Sequence, residues 1–186
     1  MVVGLGNPGA EFVNTRHNVG ADVVAELAVR HQGRLKLEKG LFSQTSEVRM
    51  ADRRVLLAVP QTFMNESGRA VAPLVRRGGS GASLIVVHDE MDLPSGRIKV
   101  KVGGGAAGHN GLRSVDSYLH TNDYLRVRIG IGKPPGRQDG ADYVLKRPGA
   151  AERSVLAVAI DTAADAVEAI VADGVEVAMN RFNVGA

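Results

Sequence analysis

The pattern of apolar and polar positions divides the chain into short strands and helices. A continuous apolar run at residues 84–87 is typical of a strand buried on both faces. Residues 97–102 and 125–129 alternate strictly between apolar and polar side chains, as in a strand with one exposed face or at a sheet edge. These patterns predict strands at residues 2–5, 41–48, 55–60, 84–88, 97–102 and 125–131.

Apolar residues recur at helical spacing between the strands. The clearest stripe runs through residues 154–172, and Gly174 marks its end. Within the helical segment at residues 67–77, Pro73 predicts either a kink in the helix or a late start of the helix. Strands mixed with helices predict an α/β fold, in which one domain spanning residues 1–186 holds a mixed, mostly parallel central sheet flanked by helices. The helices are predicted at residues 19–31, 67–77, 112–119 and 154–172.

The composition limits the chemistry and the compartment. The sequence contains no cysteine, which excludes a disulfide framework, a thiolate metal site and a cysteine nucleophile, and is compatible with a reducing compartment. No apolar run approaches the roughly 20 residues of a membrane span, and no basic segment precedes an apolar one at the start. We therefore expect a cytoplasmic protein that does not enter a membrane.

Positive charge is concentrated in one part of the chain. The formal net charge is only +3, but residues 97–147 contain ten basic and four acidic side chains, while residues 148–186 carry a net charge of −4. Such a basic segment is either a phosphate-binding surface or an ordinary solvated face. Charge alone favours the solvated face.

The opening stretch GLGNPG, residues 4–9, fits the G-x-G-x-x-G pattern of a dinucleotide-binding loop. That function requires a helix that begins within the loop and an acidic residue about 20 positions later, after a second strand. Here Pro8 lies in the loop, residues 10–18 lack helical periodicity, and Asp22 and Glu26 lie within a predicted helix. We interpret the stretch as a turn that serves other chemistry.

Six motifs follow one another along the chain: GLGNPG (4–9), TRHNVG (15–20), PQTFMNESG (60–68), HDEMDLP (88–94), GGGAAGHNGL (103–112) and RVRIGIG (126–132). In this order they resemble the motifs of the bacterial-type peptidyl-tRNA hydrolase family. They extend over nearly the whole chain, and their combination is far more specific than any one of them. The resemblance implies an enzyme that hydrolyses the ester between a peptide and the 3′-terminal ribose of tRNA, with no metal or cofactor. Nothing in the sequence demands more than a monomer.

The resemblance also implies a catalytic group. His17 would act as the general base and Asp89 would orient it, since histidine titrates near neutral pH and a carboxylate favours the imidazolium. Asn7 is expected close to His17. His88 and Asp89 are adjacent on a predicted strand, so their side chains should lie on opposite faces and not form a pair.

Substrate binding is assigned to two further groups by the same resemblance. One group would bind the peptide and the 3′ end of tRNA: Phe12, Met64, Asn65, His109 and Asn110. The other, Lys101 and Arg128, would clamp the 5′-phosphate of the acceptor stem. Phe12 stands where the family often has tyrosine, which removes a hydroxyl from that position. Without the resemblance, each asparagine could be a turn or cap residue, Met64 a core residue, and the cations solvated edge charges.

Three alternatives remain open from the sequence. The segment His88–Asp92 offers four ligand-type side chains after a buried strand, as in metal-dependent phosphoesterases. A non-catalytic RNA-binding relative could share the fold, because fold does not fix function. In the hydrolase itself, water could attack directly or a covalent step could intervene, and direct attack is favoured because no serine or cysteine adjoins His17.

Overall fold

The computed structural model, which describes residues 1–184, contains one hydrogen-bonded sheet of seven strands. Its order is β2-β3-β4-β1-β5-β7-β6, with parallel pairing in the central strands from β4 to β7 and antiparallel pairing towards both edges. The predicted mixed, mostly parallel sheet is confirmed. The strands are β1 (Val2–Gly4), β2 (Lys36–Glu38), β3 (Ser43–Met50), β4 (Arg53–Pro60), β5 (Ile85–Glu90), β6 (Ile98–Val102) and β7 (Leu125–Gly130).

Helices cover both faces of the sheet. Consecutive strand residues point to opposite faces, so Val2 belongs to the core beneath α1 and α5, and Val3 to the core beneath α2 and α3. None of the helices within residues 1–184 is long and apolar enough to cross a membrane. The helices are α1 (Val19–Arg30), α2 (Ser67–Gly78), α3 (Asn110–Leu119), α4 (Gly140–Val144), α5 (Ala150–Asp173) and α6 (Val175–Phe182).

Three short elements were not predicted from the sequence, and one strand begins later than predicted. Strand β2 is three residues long and mostly exposed, so it carries no burial pattern; α4 and α6 are likewise too short for a clear stripe. The strand expected at residues 41–48 begins at Ser43, because Lys39–Leu41 form a 3₁₀ turn and Phe42 adopts a left-handed backbone with φ of 49°. A late start of α2 at Pro73 is wrong, since the helix already begins at Ser67.

Two glycines allow the start of α1 to lie directly on the sheet. A Cβ atom at Gly20 would be 2.2 Å from the carbonyl oxygen of Val87, and one at Gly4 would be 2.1 Å from the carbonyl oxygen of Gly20. The turn before α1 carries His17, and β5 carries Asp89 two residues after Val87. This close approach therefore brings the two predicted catalytic side chains together.

We predict that Gly20→Ala destabilises the protein by about 1–3 kcal/mol, because the added methyl must push α1 away from β5. Urea unfolding of the variant measures this loss. Gly40→Ala is the control, since a Cβ atom there would meet nothing within 4 Å. Equal stability of the two variants would contradict the proposed close packing.

Candidate active site

His17 and Asp89 form a buried hydrogen-bonded pair. His17 lies in the 3₁₀ turn Arg16–Asn18, directly before α1, and Asp89 lies near the end of β5. The Nδ1 atom of His17 is 2.9 Å and 3.0 Å from the two carboxylate oxygens of Asp89. Because an ionised carboxylate only accepts hydrogen bonds, Nδ1 carries the proton and Nε2 of the neutral ring is left as an acceptor.

A second imidazole binds the same carboxylate. The Nε2 atom of His109 is 2.9 Å from Oδ1 of Asp89, and the rings of His17 and His109 lie 4.9 Å apart, centroid to centroid. His109 is also the N-cap of α3, where its Nδ1 accepts hydrogen bonds from the backbone N–H groups of Gly111 and Leu112. His109, which the motif resemblance assigns to substrate binding, thus contacts the predicted catalytic pair itself.

The two imidazoles keep Asp89 ionised despite its burial. Burial by itself raises the pKa of the Asp89 carboxyl, since it disfavours the charged form. The electrostatic attraction and hydrogen bonds of His17 and His109 act in the opposite direction and outweigh burial, so the pKa lies well below its ordinary range. Asp89 is therefore a stable acceptor at neutral pH.

Arg16 fixes the turn that carries His17. Its Nε and Nη2 atoms donate to the two carboxylate oxygens of Glu152 at 2.7 Å and 2.6 Å, and its Nη1 donates to the carbonyls of Tyr143 and Lys146 at 3.2 Å. A bidentate pair of this kind fixes orientation as well as charge. Sequence reasoning missed this role, because Glu152 is 136 residues away and no local signal connects the two.

Asn7 is held in one orientation. Its backbone N–H donates to Oδ1 of Asn18 and its carbonyl accepts from Nδ2 of Asn18, both at 2.9 Å. Its side-chain Oδ1 accepts the backbone N–H of Met64 at 2.7 Å. Since the oxygen is engaged and no bond from Nδ2 is formed within residues 1–184, two amide donors of Asn7 are available. Asn18 is a bracing residue that the sequence did not single out.

The other predicted peptide-binding residues surround the pair at different depths. Asn110 is exposed and lines a cleft of about 110 Å³ together with His17, Asp89 and His109. Asn65 is exposed in the 3₁₀ turn Met64–Glu66.

Phe12 and Met64 form apolar surfaces in the same region. The ring of Phe12 packs edge-on against that of Phe63, with centroids 6.3 Å apart. Met64 is buried in the core beneath α2 and α3, which agrees with its alternative interpretation as a core residue.

Lys101 and Arg128 lie on one face of neighbouring strands. In the antiparallel pairing of β6 and β7, Lys99 is opposite Arg128 and Lys101 is opposite Arg126, and directly opposed residues share a face. Lys101 is exposed. Arg128 is engaged by the buried Glu90, whose Oε2 accepts from Nε at 3.1 Å and from Nη2 at 2.9 Å.

Arg126 is not a solvated edge charge. Only 2% of its surface is exposed, and its guanidinium donates to the carbonyl oxygens of Gly104 and Gly105 and lies over the ring of Tyr124. The expectation from strand alternation is wrong here, because the glycine-rich loop folds back over this part of β7. Arg126 thereby holds the loop that leads to His109.

The side chains of residues 88–92 do not converge on one point where they could bind a metal ion together. Nδ1 of His88 donates to the backbone carbonyl of Asp89 at 2.7 Å, Glu90 binds Arg128, and Asp92 lies 3.4 Å from Lys133. The ligand-type atoms of His17, Asp89 and His109 do lie within 4.8 Å of one another. Since Nδ1 of His109 accepts two amide hydrogens, its Nε2 carries the proton and offers no lone pair.

A larger depression, of about 800 Å³, lies at the opposite end of the parallel strands. Val2, Ile85 and Leu125, which line it, stand at the starts of β1, β5 and β7. None of the predicted site residues lines it. In open α/β sheets, sites form beyond the carboxyl ends of parallel strands, which favours the smaller cleft as the functional one.

The fold and the cleft define a class of protein: an α/β protein that holds a histidine on a buried carboxylate at the carboxyl end of its parallel strands. The model of the family described as Peptidyl-tRNA hydrolase matches residues 1–186. The chain belongs to this family, which confirms the resemblance inferred from the motifs.

Curated relatives and solved structures agree with this membership. The chain is 51% identical to a peptidyl-tRNA hydrolase of Rhodococcus erythropolis, over 98% of this chain and 97% of the relative. It is 52% identical to that of Nocardia farcinica, over 98% and 95%. The crystal structure of peptidyl-tRNA hydrolase from Acinetobacter baumannii superposes with a TM-score of 0.92 at 35% identity, over 98% of this chain and 93% of that one.

We predict that His88 makes the protein sensitive to acid. Burial and the electrostatic effect of His109 lower the pKa of His88 from 6.5 to about 3. The unfolded chain therefore binds a proton that the native state does not, so the free energy of unfolding falls as pH decreases from 6.5 towards 3, by up to about 1.4 kcal/mol per pH unit. Urea unfolding across this range measures the slope.

His88→Asn is the matched variant for this prediction. The asparagine amide can donate to the Asp89 carbonyl in place of Nδ1 but does not titrate. Its stability should fall less steeply between pH 6.5 and 3, whatever constant loss follows from the smaller side chain. Parallel pH curves for the two proteins would show that His88 is not the responsible group.

Proposed function

We propose that this protein hydrolyses the ester bond between a peptide and the 3′-terminal ribose of tRNA, with His17 as the general base. The observation that carries this proposal is the buried His17–Asp89 pair with Nε2 of His17 left as an acceptor. Membership of the peptidyl-tRNA hydrolase family supplies the substrate. The activity releases free tRNA for translation, so we expect the cytoplasm as its compartment and a monomer as the working unit.

The reaction follows from the protonation pattern. Nε2 of His17 takes a proton from water as the water oxygen attacks the ester carbonyl, and Asp89 stabilises the imidazolium that forms. The tetrahedral intermediate then breaks its bond to the ribose 3′ oxygen, which receives the proton from Nε2. The products are tRNA with its 3′ hydroxyl and the free peptide acid, which loses its proton to solvent and becomes a carboxylate. Direct attack by water is favoured because, within residues 1–184, no serine hydroxyl is hydrogen-bonded to His17 and the sequence contains no cysteine.

Developing negative charge requires a fixed donor. The Nδ2 group of Asn7 suits this role, because Asn18 and the backbone of Met64 hold the residue and leave its amide hydrogens available. The exposed amides of Asn65 and Asn110 suit recognition of the peptide backbone and the 3′ end of tRNA. Phe12 provides apolar surface for the same substrate, whereas Met64, of which only 4% is exposed, can contribute little to that contact.

Lys101 and Arg128 suit a phosphate clamp on the tRNA. Both lie on one face of the sheet, and a cation pair binds a terminal phosphate well. Glu90 holds the guanidinium of Arg128 by two of its nitrogens and leaves Nη1 for the phosphate. The carboxylate also lowers the net charge of the clamp, so phosphate must compete with Glu90 for Arg128.

We predict that His17→Ala lowers kcat by at least about a hundredfold, since a general base contributes roughly 10²–10⁴-fold. The measurement is release of tRNA from N-acetylated aminoacyl-tRNA in the presence of a chelator. His120→Asn is the control, because His120 is exposed and its left-handed backbone, with φ of 55°, tolerates asparagine.

Three results would contradict this proposal. Full activity in a folded His17→Ala protein would exclude His17 as the base. Intact tRNA binding without any cleavage by the wild type would indicate a non-catalytic RNA-binding relative. Loss of the wild-type activity on chelation would indicate the metal-dependent alternative.

We predict that Lys101→Ala and Arg128→Ala each raise KM for tRNA substrates by about tenfold, with little change in kcat, since each removes a charge-assisted contact to phosphate. The loss should disappear for a substrate whose 5′-phosphate has been removed. Lys36→Ala is the control, because Lys36 is an exposed cation at the opposite edge of the sheet. Equal losses with both substrates would contradict the clamp.

A further inference from the structure

We propose that His109 is a positioning residue that acts through Asp89, and that the N-terminus of α3 fixes the protonation pattern it needs for this. The capping bonds occupy Nδ1 and direct the N–H at Nε2 to the carboxylate. This inference rests on the proposed function, since Asp89 in turn orients the base His17. It replaces the substrate-binding role that the motif resemblance gives His109.

The cap determines which nitrogen of His109 carries the proton. The backbone N–H groups of Gly111 and Leu112 donate to Nδ1 at 3.1 Å and 3.3 Å. An atom that accepts two hydrogen bonds from amides cannot itself be protonated, so the proton of the neutral ring resides on Nε2. That nitrogen lies 2.9 Å from Oδ1 of Asp89, which can only accept.

The ring is held in place from both sides. The ring of His88 packs edge-on against it at 5.1 Å between centroids. On the other side, a Cβ atom at Gly111 would lie 3.0 Å from Cε1 of His109 and 2.5 Å from the sulfur of Met64, so only glycine leaves room for this packing. The position of the Nε2 donor is therefore fixed by packing as well as by the cap.

The carboxylate of Asp89 receives its orientation from this donor. Oδ1 accepts from His109 at 2.9 Å, while His17 reaches both carboxylate oxygens, at 2.9 Å and 3.0 Å. Because the His109 bond reaches only Oδ1, it distinguishes the two oxygens and opposes rotation of the carboxylate plane about its bond to Cβ. Asp89 thus presents a defined edge to His17, which keeps the His17 base in position for water.

A direct role for His109 in substrate binding does not fit its contacts. Both ring nitrogens are engaged, one by the helix and one by Asp89, and only 8% of the side chain is exposed. No polar atom of the ring is available to a peptide or a ribose. The neighbouring Asn110, which is exposed at the same helix start, is the better candidate for that contact.

Two substitutions separate the cap from the donor. In His109→Asn the side-chain oxygen takes the place of Nδ1 and caps the helix, but the side chain is too short to reach Asp89. In His109→Gln the amide nitrogen takes the place of Nε2 and donates to Asp89, but the cap is lost. His109→Asn therefore keeps the cap and loses the donor to Asp89, whereas His109→Gln keeps the donor and loses the cap.

We expect kcat to depend on the hydrogen-bond donor to Asp89 and the unfolding midpoint to depend on the helix cap. For His109→Asn we expect kcat to fall about tenfold with KM unchanged, the effect of losing one charge-assisted hydrogen bond, and an unfolding midpoint close to that of the wild type. For His109→Gln we expect kcat within a few-fold of wild type and a lower unfolding midpoint. A rise in KM with unchanged kcat in both variants would overturn the proposal.

The pH profile gives a readout that a purely structural role would not move. The charged and titratable groups around Asp89 are His17 and His109, with His88 and then Arg126 beyond them. Without the hydrogen bond from His109, the negative charge of Asp89 is shared with His17 alone and favours the protonated form of the His17 ring. The acidic limb of kcat/KM should move to higher pH in His109→Asn and stay in place in His109→Gln.

Nitrogen NMR tests the proposal independently of activity. Long-range ¹H–¹⁵N spectra of the labelled wild type should show a protonated Nε2 and an unprotonated Nδ1 for His109, with the signal assigned by its loss in His109→Gln. A protonated Nδ1 would overturn the inference even in an active enzyme. Conversely, the expected spectrum in a protein that cleaves no peptidyl-tRNA would contradict the proposed function and leave the arrangement around Asp89 intact.

Discussion

The ionised carboxylate of Asp89, buried at the end of β5, is the constraint on which the site depends. Burying an unpaired carboxylate costs several kcal/mol, so the fold must bring donors to it. The two donors come from opposite faces of the sheet: His17 from the turn before α1, and His109 from the start of α3. The need to stabilise one buried charge thus couples both helical layers to the geometry of the site.

The same requirement explains the contacts around the pair. Arg16 ties the His17 turn to α5 through Glu152, and Arg126 ties the glycine-rich loop ahead of His109 to β7. Neither arginine needs to touch the substrate to be important. They restrict the two segments whose displacement would leave Asp89 without its partners, which is why both are buried although arginine normally lies at the surface.

The sequence predicted the fold class and the site to different extents. The long apolar run at residues 84–87 and the stripe of α5 identified their elements because burial on a regular element repeats with its period. Strand β2, α4 and α6 are too short to show a period. The pairing of His17 with Asp89 was predicted only through the family resemblance. Strand geometry on its own could exclude a pair between the adjacent residues His88 and Asp89, but it could not identify the true partner.

The amino-acid sequence by itself determined which polar residues precede or follow the parallel strands, and therefore which edge of the sheet would hold the chemistry. The tertiary structure decided how those residues share hydrogen bonds. It engaged both nitrogens of His109, paired Arg128 with Glu90 and buried Arg126 under a loop. The physical reason is that periodicity reports the face on which a side chain lies. The carboxylate partners of His109 and Arg16, by contrast, lie 20 and 136 residues away along the chain and reach them only when the layers pack.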